Sequence, residues 1–83
     1  MPYEISLFPT ALSTLRSLDA GDYRQLRRAL DALSEDPLPR DHARLPQSNA
    51  YSLRVGEYRI FYEIHEQTLL VPVIRIGHRN YFL

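Results

Sequence analysis

The sequence has no cysteine and no lysine, little glycine, no net charge and no long apolar run. Without cysteine there are no disulfides, no thiolate chemistry and no cysteine-based zinc site. The longest apolar stretch is Leu69–Ile74, far short of the roughly 20 residues needed to span a bilayer. Met1-Pro2-Tyr3-Glu4-Ile5 alternates from the start and has no basic-then-apolar leader, so a signal peptide is not expected. A soluble cytoplasmic protein with no membrane partner is. Ten acids balance ten basic residues, so no global positive field steers the chain toward nucleic acid. All ten basic residues are arginine, a side chain that binds phosphate bidentately and keeps its charge. Any nucleic-acid site must therefore be local, built from a few placed arginines.

What is present is ordinary globular composition, with 45% hydrophobic and 24% charged residues in 83. That length implies one domain, residues 1–83, with a thin two-layer core. Tyr3–Phe8 alternates and predicts a first strand. Ala11, Leu12, Leu15 and Leu18 are helix-spaced, with Thr10 as the expected N-cap. A turn over Asp19–Asp22 follows, where Gly21 permits positive φ and Asp22 can cap the next helix. Tyr23, Leu26, Leu30 and Leu33 then form one apolar stripe, ended by Ser34, Glu35, Asp36 and Pro37. The polar, proline-containing residues 35–50 lack a period and read as a surface connection.

Beyond them the signal is for strands. Tyr51–Val55 and Tyr58–Ile64 flank Gly56-Glu57, a pair suited to a two-residue type II′ hairpin. That turn fixes the register, with paired residue numbers summing to 113. Tyr51, Leu53 and Val55 then face Tyr62, Ile60 and Tyr58 on a wholly apolar side. Ser52 faces Phe61, and Arg54 faces Arg59, on the other. A last strand over about Thr68–Ile76 follows a turn at Glu66-Gln67 and is ended by Gly77. The order β-α-α-β-β-β predicts an α+β fold, an antiparallel sheet with an N-terminal helical hairpin on one face. Pro72 cannot donate to a ladder, so the last strand must be an edge there or carry a bulge. A bulge would move Arg75 to the face of Arg54 and Arg59.

Like charges opposed on a sheet are destabilising, by a few tenths to about 1 kcal/mol. Glu57, Glu63 or water can offset the Arg54–Arg59 pair. Alternatively, the two guanidinium forks form an anion site suited to phosphate. Just past the last strand, Gly77-His78-Arg79-Asn80-Tyr81 adds an arginine, an imidazole and a phenol.

The segments Tyr51-Ser52-Leu53-Arg54-Val55-Gly56-Glu57-Tyr58-Arg59-Ile60-Phe61-Tyr62-Glu63-Ile64 and Val73-Ile74-Arg75-Ile76-Gly77-His78-Arg79 resemble the signature of the RelE/ParE toxin superfamily, on the RelE side. The resemblance extends more weakly over the first strand and the helices. It implies the toxin of a type II toxin–antitoxin pair, whose partners are a cognate antitoxin, mRNA and the ribosome, with DNA contacted only through the antitoxin complex. It also implies mRNA cleavage with no metal and no cofactor, by attack of a ribose 2′-hydroxyl on the neighbouring phosphate to give a 2′,3′-cyclic phosphate. Arg59 and Arg79 match the family's phosphate-stabilising arginines, and Arg54 matches one of two second-strand lysines. Arg54, Arg59, Arg75 and Arg79 are thus the expected RNA-binding residues, and Arg54, Arg59, Arg79, His78 and Tyr81 the expected catalytic set.

The chain departs from that pattern in two places. Ser52 stands where ribonucleolytic relatives often have lysine, and Tyr81 comes only two residues after Arg79 instead of four or more. An arginine is a poor proton acceptor. That leaves the general base unassigned, with His78 chemically better suited than any arginine and Tyr81 suited to stacking on a base or donating a proton. The alternatives are a ParE-type toxin that blocks DNA gyrase and cuts nothing, and an inactive homologue that only captures its antitoxin.

Overall fold

The computed structural model describes residues 2–79. β1 (Glu4–Leu7) leads into α1 (Pro9–Arg16) and α2 (Ala20–Glu35), followed by β2 (His42–Arg44), β3 (Ala50–Val55), β4 (Tyr58–Glu63) and β5 (Leu70–His78). The α+β class is as expected. The sheet has five strands in the order β1-β5-β4-β3-β2, one more than the sequence suggested. β2 lies within the segment read as a connection and pairs antiparallel with β3 at the sheet edge.

The expected all-antiparallel sheet is corrected at β1, which pairs parallel with β5, Ile5 opposite Val71 and Leu7 opposite Val73. The intervening helices carry the chain across one face, the connection that parallel neighbours require. Consequently β5 lies between β1 and β4, and Pro72, opposite Ser6, is not at an edge. The second option for Pro72 holds. The β4–β5 register shifts between Phe61 and Tyr62, whose partners are Arg75 and Val73, leaving Ile74 as the extra residue of a bulge. Parity flips there: Val71 and Val73 are in the core before the bulge, Ile76 after it. Nor does Gly77 end the strand, which runs on to His78.

The helices bury Ala11, Leu15, Leu26, Leu30 and Leu33 against Leu53, Ile60, Tyr62, Val71, Val73 and Ile76. Each buried leucine contributes about 1.5–3 kcal/mol of transfer free energy. Two caps differ from expectation. α1 starts at Pro9 with Phe8 as N-cap, so Thr10 sits inside the first turn and its hydroxyl donates to the Ile74 carbonyl (2.8 Å). α2 starts at Ala20, so Asp19 is the N-cap, its Oδ1 accepting from the Asp22 N–H at 2.8 Å. Gly21 lies within that helix, and its φ is not positive.

Tyr62 is fully buried, yet its hydroxyl donates to the Pro37 carbonyl (2.8 Å) and its ring stacks on Tyr51. Burial first, then the charges of Tyr51 and Asp36, push its phenol up to about 12 from 10. Because the folded pKa is the higher one, this contribution is fully present below pH 10 and is lost as pH rises toward 12. It amounts to about 2–3 kcal/mol. Tyr62→Phe is expected to cost about 1 kcal/mol at neutral pH, a melting temperature lower by roughly 4–8 °C. It should also flatten the stability loss between pH 10 and 12, which thermal melts across that range would show.

Candidate functional site: an arginine-lined sheet face

The hairpin β3–β4 has the expected register throughout, including Arg54 opposite Arg59 and Ser52 opposite Phe61. Gly56 has φ +60° while Glu57 does not have positive φ, which distinguishes type II′ from type I′. In such a hairpin Val55 and Tyr58 close the loop with hydrogen bonds. Arg54 and Arg59 then form the next, non-hydrogen-bonded pair, with Cα atoms about 4.5 Å apart and side chains at their closest.

Register on both sides of β4 arranges the face turned away from the helices in rows. One row runs Ser52, Phe61, Arg75; the next runs Arg54, Arg59, Gly77. The Arg79 N–H donates to the Glu57 carbonyl (2.8 Å), just past the end of β5 at His78. Arg75 lies two residues before Gly77, about 6.7 Å along the strand, and Arg79 two residues after it, beyond the strand end. Gly77 contributes no side chain, so the row it shares with Arg54 and Arg59 has a notch there, with Arg75 two residues before it on β5. Among the described residues no helix or further strand lies over this face. The bulge at Ile74 brings Arg75 to it.

Local contacts hold the arginines in place. Arg54 Nε donates to the Gly56 carbonyl (3.3 Å), and Arg59 Nη1 reaches the Oγ of buried Ser52 (3.5 Å). Arg75 places its guanidinium over the Phe61 ring, 5.0 Å from the centroid. Of the carboxylates expected to offset the arginine pair, Glu57 stands 3.6 Å from Arg79 Nε in a solvent-exposed ion pair. Glu63 is bonded to His65 Nε2 at 2.9 Å. Exposed pairs of this kind contribute little, so a phosphate can compete for Arg79.

His78 is not brought together with the arginines. It pairs with Tyr58 on the helix side of the sheet and meets that ring edge-on at 5.1 Å. Tyr81 lies outside the described residues. On the helix side a cavity of about 1090 Å3 lies between α1 and the end of β5, lined by Thr10, Asp19, Asp22, Tyr58, Arg75 and His78 among others. There Tyr58 donates to Asp22 (3.0 Å). Burial first, and then the Asp22 hydrogen bond with the charges of Asp22, Asp19 and Glu57, raise its pKa. The Asp19 and Asp22 carboxylates disfavour phosphate in this cavity, although Arg75 also lines it.

Gly77, read from the sequence as a strand terminator, lies instead within β5 opposite Arg59. The usable signal was a glycine inside a strand pattern, which often marks close approach of a ligand. Gly77 does not have positive φ. Gly77→Val is therefore expected to leave the fold at least as stable, because β-branched residues suit strands. It should weaken polyanion binding about 10-fold or more by filling the notch. Anisotropy titrations alongside thermal melts would check both halves.

Residues 5–80 match the family described as the ParE toxin of type II toxin–antitoxin systems, parDE. The chain belongs to this family. The toxin also resembles solved structures of the RelE branch. It is similar to a chain of the archaeal RelE–RelB complex from Pyrococcus horikoshii OT3, at 24% identity over 98% of this chain and 99% of that one, TM-score 0.85. A chain of the RelBE2 toxin–antitoxin complex from Mycobacterium tuberculosis matches at 29% identity over 95% and 100%, TM-score 0.80. For the intact E. coli RelBE complex the values are 23% identity, 92% and 95%, and 0.80. No curated protein matches the toxin. No helix of the described residues is long and apolar enough to cross a membrane.

Proposed function

We propose that the toxin is an RNA endonuclease that holds the scissile phosphate in the notch over Gly77. What supports this reading is the register that sets Arg59 between Arg54 and Gly77, with Arg75 two residues before that glycine on β5. A ribose 2′-oxygen attacks the neighbouring phosphorus and loses its proton. The P–O5′ bond breaks, and the 5′-oxygen leaves as a hydroxyl after taking a proton, giving a 2′,3′-cyclic phosphate. Charge accumulates on the non-bridging oxygens of the pentacoordinate phosphate, where fixed guanidinium donors stabilise it without reorganising. The substrate is mRNA on the ribosome. The partner that silences the toxin is a cognate antitoxin, as in the RelB complexes of its relatives.

A second reading, a ParE-type toxin that binds DNA gyrase and cuts nothing, is favoured by the family match and by the placement of His78 away from the arginines. Inducing the toxin in cells and mapping RNA ends separates the two. New 5′-hydroxyl and cyclic-phosphate ends in mRNA support the nuclease. Intact mRNA with broken DNA and an SOS response overturns it.

A further inference from the structure

We infer that Phe61 and Arg75 form a stacking platform for one RNA base beside the phosphate notch, an assignment that rests on the RNA reading of this face. Phe61 is an aromatic residue on the side of the sheet that faces away from the helices, and it is not part of the core cluster. It is half-buried, in the same row as Arg75, whose exposed guanidinium lies over its ring at 5.0 Å. A guanidinium supported by a ring offers a planar, cationic outer surface. Unstacked nucleobases bind such surfaces and aromatic rings with little dependence on sequence.

Position makes the platform useful. Phe61 is two residues from Arg59, and Arg75 two residues from Gly77, so the platform adjoins the notch along both strands. A nucleotide's own sugar joins its phosphate to its base, so one nucleotide can set its phosphate among the arginines and its base on Arg75. The bulge is what permits this, since without it Arg75 would fall on the core side. The platform adds a base-dependent contribution to an otherwise purely electrostatic site, and it orients the ribose whose 2′-oxygen must align with the phosphorus.

The test is equilibrium binding of the full chain to two labelled strands of equal length and phosphate number. One is a 2′-O-methyl RNA, which cannot be cleaved, and the other its abasic counterpart. The wild type is expected to bind the base-bearing strand about 10-fold more tightly. Phe61→Leu and Arg75→Lys, which keep the volume and the charge respectively, should each reduce that ratio to about 2-fold. Affinity of Phe61→Leu for the abasic strand should change little, with folding checked by circular dichroism. Equal wild-type affinity for the two strands overturns the platform and leaves the phosphate site standing. A preference retained by both variants also overturns it, because the base then rests elsewhere. No binding to either strand overturns the platform and the RNA reading together.

Discussion

Arg59→Ala is expected to slow RNA cleavage by about 100- to 1000-fold, the usual effect of removing one preorganised donor from a developing oxyanion. Arg59 is central to the site, with Arg54 across one strand boundary and Gly77 across the other. No other side chain occupies that position. Stability should move in a different direction from activity. Removing Arg59 deletes a weak 3.5 Å contact to Ser52 among its interactions but also relieves a like-charge cross-strand pair. The net change in folding free energy is expected to stay within about 0.5 kcal/mol. Initial-rate assays on a defined RNA, run beside urea denaturation, would show the separation. If wild-type and Arg59→Ala protein cleave at similar rates, Arg59 has no part in the chemistry. A rate loss matched by a comparable stability loss would make the residue structural. Arg59→Lys sharpens the experiment, because lysine keeps the charge and loses the planar fork. Partial recovery indicates that charge dominates; none indicates that bidentate geometry does.

How much of this was legible in the sequence depends on the range of the interactions involved. The β3–β4 register could be read because its determinants are local: one glycine at the turn and strict alternation on either side of it. The α2 stripe was legible for the same reason. β2 was not, because His42, Ala43 and Arg44 carry no alternation of their own and become a strand only by pairing with Leu53, Ser52 and Tyr51. The parallel pairing of β1 with β5 joins residues more than sixty positions apart, so no window of sequence contains it. The bulge was half legible, since Pro72 demanded an irregularity without saying where. Its position decides the site. Once the parity flip is placed at Ile74 and the strand is carried through Gly77, consecutive residues point to opposite faces. His78 then turns to the helices beside Tyr58, and Arg79 follows just beyond the strand. Grouping His78 with Arg79 because they are adjacent in sequence overlooked that alternation.

Gly56→Val should destabilise the fold by about 3 kcal/mol, a large part of the roughly 4–12 kcal/mol expected for a chain of this length. Gly56 has φ +60°, a conformation glycine adopts freely and a β-branched residue resists strongly. The added Cβ would meet Gln25 Nε2 at 3.0 Å and Oε1 at 3.2 Å. These atoms end a flexible side chain that can move aside, so backbone conformation supplies most of the cost. Gly56→Ala, with the same φ problem and less bulk, is expected to cost about 1–2 kcal/mol. Urea midpoints for the three proteins should fall in the order Gly, Ala, Val. Activity should fall further than stability, because this turn holds the pairing that sets Arg54 opposite Arg59. A slip of one residue along either strand would carry that strand's arginine to the apolar side of the sheet. Local opening of the hairpin end therefore scatters the phosphate site before the helices leave the core. RNA binding measured well below the melting temperature should already be weakened in Gly56→Val while far-ultraviolet dichroism remains native. Unchanged binding in that regime would mean that the arginine pair is held by the rest of the sheet and not by its turn.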